Sequence, residues 1–132
     1  MKVEIIDATS IRRLPYFGNL AKHEYDVLMN CFMRSEERWI GTVDAEVACV
    51  WGLIPPTLLS WSAYIWLYSN ELVAQNKFRF IRHSQIHMQR MLQIYPSIVG
   101  DCLNDNATAR RWLEWLGAEF IYSTGPLIPF RI

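Results

Sequence analysis

Between Glu46 and Glu71 the chain carries no charged side chain, and its other shortages are equally informative. Cysteine is scarce and odd in number: Cys31, Cys49 and Cys102 are widely spaced and form no C-x-x-C pair. That pattern suits reduced, buried thiols in a cytosolic setting better than a disulfide framework or a zinc site. Net charge is also missing, because 13 basic and 13 acidic side chains cancel. Bulk charge therefore gives no reason to expect nucleic acid or an acidic surface as partner. The first ten residues, MKVEIIDATS, carry charge where a signal peptide needs an apolar core, so they read as a mature start.

What is plentiful is apolar bulk. Hydrophobic residues make up 52% and charged residues 20% of 132 positions, which describes one globular domain, 1–132, with a buried core. The charge-free stretch has the hydropathy of a membrane span. Pro55 and Pro56 fall inside it, however, and Thr57, Ser60 and Ser62 follow closely. Two adjacent prolines do not sit in the middle of one helix. The expectation is two buried strands joined by a proline loop, their aromatic side chains filling a sheet-and-helix core.

Periodicity assigns the remaining elements. Lys2–Ile6 alternates as a first strand, and Thr9 or Ser10 caps a helical stretch to Phe17 that Pro15 interrupts. Gly18-Asn19 is a turn signal, after which Leu20, Tyr25, Leu28, Met29 and Phe32 recur at helical spacing. Arg34 to Arg38 reads as a solvated charged loop. Strands over 38–42 and 45–54 form a hairpin about Asp44, and 61–69 reads as a central strand covered on both faces. Asn76–Tyr95 is the longest helix, with Phe78, Ile81, Met88, Met91, Leu92 and Tyr95 on one face and Pro96 as its stop. A strand over 97–103 leads to Asn104–Phe120, NDNATARRWLEWLGAEF. There Asn104 or Asp105 caps a helix, Ala109, Trp112, Leu113 and Leu116 form its apolar stripe, and Gly117 supplies the left-handed stop. Strands over 120–123 and 127–130 close the chain.

Asn106, Ala109, Leu113 and Gly117 are spaced N-x-x-A-x-x-x-L-x-x-x-G, followed by Ala118, Glu119 and Phe120. This resembles the last helix and following strand of the GNAT (Gcn5-related) N-acetyltransferases, and the order of elements resembles that fold along almost the whole chain. The resemblance implies an α/β fold: a mixed, mainly antiparallel sheet flanked by helices. Two runs, KFRFIRHSQIHMQRMLQIYP and NATARRWLEWLGAEFIY, and more loosely YIWLYSNELV, also resemble small internal virion proteins of short-tailed bacteriophages, which share the fold.

The chemistry implied by the resemblance is only partly present. GNAT enzymes hold the pyrophosphate of acetyl-CoA on a Q/R-x-x-G-x-G/A loop entering the long helix, where glycines let backbone amides approach the phosphates. The matching run, Leu72 to Phe78, contains no glycine. Gln75, Asn76, Lys77, Arg79 and Arg82 are the residues placed to bind the coenzyme instead, with Asn106 as the family's matching asparagine. Lys77, Arg79 and Arg82 oppose the helix dipole unless an anion is near, although a solvated basic face is the plainer reading. The family's general-acid tyrosine falls on Leu113, which has no proton to donate. Tyr95 and Tyr122 lie outside the motif, residues 61–69 offer no carboxylate base, and Asp44 and Glu46 flank a turn. His83 and His87, at i and i+4, have metal-ligand spacing without a third ligand, and read as a surface pair. Trp112 and Trp115 cannot both face inward, so one of them marks a contact surface.

These features give three functional expectations. The first is a phage protein of degenerate acetyltransferase fold, an internal virion or morphogenesis component working through phage virion or host proteins. The second is an active acetyl-CoA-dependent N-acetyltransferase with an altered pyrophosphate loop, and the third a host-directed inhibitor or binding module. No nucleic-acid partner is expected, catalytic residues stay unassigned, and membrane contact and homo-oligomerisation stay open. The setting is the virion or the host cytoplasm.

Overall fold

Alternating β-branched and aromatic runs form strands and the 3.6-residue stripes form helices, as elementary patterning requires. The computed structural model describes residues 2–14, 20–103, 107–121 and 124–132. In chain order the elements are β1 (Val3–Asp7), α1 (Lys22–Arg34), β2 (Glu37–Val43), β3 (Glu46–Ile54), β4 (Ala63–Ser69), α2 (Glu71–Gln75), α3 (Lys77–Ile94), β5 (Ile98–Leu103), α4 (Ala107–Trp115), β6 (Glu119–Phe120) and β7 (Leu127–Arg131). Among the described residues the strands form one seven-stranded sheet in the order β1-β2-β3-β4-β5-β7-β6. The β4–β5 pair is parallel, while β1–β2, β2–β3, β5–β7 and β6–β7 are antiparallel. The fold is α/β with a mixed, mainly antiparallel sheet, as expected. The chain forms two compact units, Met1–Pro55 with Trp66–Phe80, and Pro56–Ile65 with Ile81–Ile132.

The first unit is built on the meander β1-β2-β3. Asp44 and Ala45, with φ of 49° and 69°, make the tight hairpin turn, and Asp44 also ties down the N-terminal strand by accepting the Lys2 amide at 2.8 Å. Val43, Ala48, Cys49, Trp51 and Phe80 form a buried cluster joined by Ile5, Trp39, Leu72 and Val73. Phe32 of α1 is fully buried and meets Trp66 edge-on at 6.3 Å. Ser35 ends α1; its hydroxyl donates to the Cys31 carbonyl at 2.7 Å and accepts the Trp66 indole N–H at 2.6 Å. A Cβ on Gly52 would lie 2.8 Å from both the Ser35 hydroxyl and the Trp66 indole nitrogen, so glycine leaves the space that this bond occupies.

In the second unit β4 and β5 pair over two positions, Ala63↔Ile98 and Tyr64↔Val99. The β5–β7 ladder then runs from Val99↔Arg131 to Leu103↔Leu127. Ile98, Cys102, Ile128, Phe130, Met88 and Met91 are buried. Gly117, at φ 97°, ends α4: Ala118 N–H donates to the Leu113 carbonyl and Gly117 N–H to that of Glu114, the paired bonds of a Schellman stop. Trp112 is half-buried and its indole donates to the Ser84 hydroxyl at 2.9 Å, whereas Trp115 faces outward, 53% exposed.

Several expectations need correction. Residues 9–14 form no helix: Asp7 accepts the Thr9 amide and the Ala8 carbonyl the Ile11 amide, giving turns in its place. Arg38, expected both to end a solvated loop and to open a strand, belongs to the strand alone. It is half-buried in β2, donates to the Phe32 and Thr9 carbonyls, and lies 4.6 Å above the Phe32 ring. Phe78 is 78% exposed and Phe80 is buried in its stead, because two helical residues apart point in roughly opposite directions. The charge-free stretch does resolve into two strands and a proline loop, but β4 starts at Ala63, is only partly covered, and leaves Trp61 outside it and exposed. Among the described residues no helix is long and apolar enough to cross a membrane. The expectations on Pro15, Phe17, Gly18-Asn19, Asn104, Asp105, Asn106, Tyr122 and Ser123 lie outside the described residues.

Ser35→Ala leaves the buried Trp66 indole N–H unpaired and is expected to cost about 1–3 kcal/mol in urea unfolding. Gly117→Ala, where nothing lies within 4 Å of the new methyl group, is expected to cost about 1–2 kcal/mol through backbone strain alone.

Candidate functional site

The stretch from Asn70 to Arg79 follows β4 and would have to supply a phosphate-binding turn. Asn70 fixes its start: the backbone amide donates to the Ala48 carbonyl at 2.9 Å and the side-chain amide to Val47 at 2.8 Å, anchoring it to β3. The Asn70 side-chain oxygen accepts the Leu72 amide at 3.0 Å, which caps α2. Val73 N–H bonds to the Asn70 carbonyl and Asn76 N–H to that of Val73, at 3.2 and 3.1 Å. Asn76 ends α2 and starts α3: its carbonyl accepts the Arg79 and Phe80 amides and its side chain donates to the Leu72 carbonyl. The sequence showed no sign of α2, since five residues are too few for a periodic stripe.

Beside this junction lies an open hollow of about 440 Å³ lined by Ala74, Gln75, Asn76, Lys77, Phe78 and Arg79. Four of the expected coenzyme-binding residues, Gln75, Asn76, Lys77 and Arg79, therefore share one surface. Arg82 is exposed one turn along and does not line it, and Asn106 lies outside the described residues. Lys77 and Arg79 stand in the first turn of α3, which itself holds no acidic residue, and the Lys77 ammonium sits 5.4 Å over the Phe78 ring. Positive charge and the helix dipole thus act together on anything in the hollow.

The hollow does not fit a pyrophosphate as a glycine-rich turn would. The Leu72, Val73 and Asn76 amides are bonded within α2 and its caps, leaving the first amides of α3, at Lys77 and Phe78, as the backbone donors. Catalytic groups are equally thin. Leu113 is half-buried on α4 at the place of the family's tyrosine. Asp44 and Glu46 are exposed at the hairpin, as expected. One carboxylate was missed: Asp101 on β5 accepts the Tyr64 phenol at 2.9 Å. Its signal is the alternation of β5, in which Ile98, Gly100 and Cys102 are buried and Asp101 is left exposed. Burial pushes the Cys49 thiol up to about 12 and raises Cys31 and Cys102 as well, so none is poised as a thiolate nucleophile.

His83 and His87 are both half-buried instead of lying on the open surface. Among the described residues no group of three or more His, Cys, Asp or Glu is placed to hold a metal. Burial, then His83, then Arg90 lower the His87 pKa.

No family model and no curated protein matches the chain. Solved structures do. A Bacillus subtilis acetyltransferase, solved in complex with CoA, is 14% identical over 99% of this chain and 98% of its own, with a TM-score of 0.66. A GNAT family acetyltransferase from Elizabethkingia anophelis with acetyl-CoA bound is 13% identical over 98% and 97%, with a TM-score of 0.68. An IAA acetyltransferase from Bacillus cereus is 12% identical over 99% of each chain, with a TM-score of 0.64. The fold is that of the GNAT acetyltransferases.

Because His87 titrates below the ordinary value of 6.5 when folded, its neutral form is favoured by the fold. Its contribution is intact above pH 6.5 and is lost as pH falls through the lower folded value. His87→Gln is expected to flatten the fall of Tm with acidification below that point, read by calorimetry across a pH series.

Proposed function

We propose that this is a phage protein built on an acetyltransferase fold that no longer performs acetyl transfer, serving as an internal virion or morphogenesis component through protein contacts. The observation that carries this reading is α2: amides that a phosphate-binding turn would present to a coenzyme are bonded inside a short helix. Leu113 in place of a proton donor supports it from the catalytic side. The phage setting rests on the resemblance of the runs 77–96 and 106–122 to internal virion proteins. Outward-facing Trp115 on α4 is a side chain suited to a protein contact.

A second reading, an active acetyl-CoA-dependent N-acetyltransferase, is favoured by one arrangement. Lys77 and Arg79 face a hollow at the start of α3, and relatives by fold carry CoA or acetyl-CoA. In that reading cationic side chains replace the backbone cradle.

Calorimetric titration with acetyl-CoA and with CoA separates the two. The expected result is no saturable heat at millimolar ligand from protein shown to be folded. A micromolar dissociation constant, worth about 8 kcal/mol, would overturn the proposal. Were such binding abolished by Lys77→Ala combined with Arg79→Ala, the cationic cradle would be established.

A further inference from the structure

The loop between β3 and β4 reads Pro55-Pro56-Thr57-Leu58-Leu59-Ser60-Trp61-Ser62. Thr57 and Ser60 form an isolated antiparallel bridge, each amide bonded to the other's carbonyl at 3.1 and 3.2 Å. The Leu59 amide donates to the Thr57 hydroxyl and the Ser60 hydroxyl to the Ser62 carbonyl, both at 3.2 Å. This makes a two-residue hairpin with Leu58 and Leu59 at its tip and Trp61 just behind. All three side chains are almost wholly in solvent, Leu59 at 98% and Trp61 at 96%. Large apolar groups ordinarily fold back onto the nearest surface, but these three stand clear of it.

We infer that this tip inserts into a lipid surface. Three observations favour lipid over a protein partner. The apolar groups project from a convex turn, and lipid needs no complementary groove. A tryptophan offers about 200 Å² and each leucine less, so the tip alone falls short of the roughly 800 Å² per partner of a stable protein interface. No charged residue lies between Glu46 and Glu71, and three of the turn's amides are bonded within it, as a water-poor medium requires. Two leucines reaching the acyl boundary, with tryptophan at headgroup level, match the vertical order of an interfacial anchor. This goes beyond the protein-contact reading and does not depend on it.

The test is co-sedimentation of the whole protein with phosphatidylcholine vesicles, with Trp61 followed by quenching from lipids brominated on the acyl chain. The wild-type chain is expected to bind, and to bind equally at about 50 mM and 500 mM salt, because no charge drives insertion. Leu58→Ser with Leu59→Ser is expected to weaken partition at least about tenfold. Both side chains are exposed, so the melting temperature should not move. Trp61→Phe is expected to remove the quenching. Absence of vesicle binding at millimolar lipid, or equal binding by the double-serine variant, overturns the inference. So does lipid-free self-association that the double-serine variant abolishes, since the tip would then belong to a protein interface.

Discussion

The hydrogen bond from the Trp66 indole to the Ser35 hydroxyl is the constraint around which the first unit is assembled. Trp66 lies on a strand without charge, and its N–H, once buried, must find a partner. Ser35 serves because it sits where α1 stops, and it also accommodates the Cys31 carbonyl at the helix end. Gly52 is then required by exclusion, since any side chain there would occupy the position of the bond. Phe32, one turn earlier, packs its ring edge-on against the same tryptophan and carries the Arg38 guanidinium on its own face. One indole thus fixes a helix end, a glycine in β3 and a cation in β2.

The same economy of backbone groups shapes the turn that follows β4. An amide can close a helical turn or point at a phosphate; those of Val73 and Asn76 do the former, and that of Leu72 is held by the Asn70 side chain. What remains beside the hollow is long-range and undirected: two cations and a helix dipole. Such a field attracts anions without selecting a pyrophosphate, because selection comes from donors at fixed distances.

Local signals were legible wherever local chemistry decides. Gly117 announced its Schellman stop, Asp44 its hairpin, and Pro55-Pro56 the break in the charge-free stretch. Of the site, Gln75, Asn76, Lys77 and Arg79 were legible as a group because the helix start beside them is marked by its basic residues. What stayed hidden depends on tertiary partners. Arg38 looks like surface until the Phe32 and Thr9 carbonyls are near it. Phe78 and Phe80 are equivalent in composition, and the cluster with Cys49 and Trp51 chooses between them. Trp61 is apolar enough for the core, yet the Thr57–Ser60 bridge turns it to solvent. Asp101 pairs with a tyrosine 37 positions away, which no spacing rule anticipates.

The two ends of the strand order are β1 and β6, and neither invites a further strand. β1 carries Glu4 and Asp7 within five residues and holds Lys2 in an ion pair with Glu4 at 2.9 Å. β6 is two residues long. Short or charged margins discourage the backbone pairing by which sheets extend from molecule to molecule. At high local concentration this chain is therefore guarded against growing into fibres, and its associations are left to side chains, which choose their neighbours.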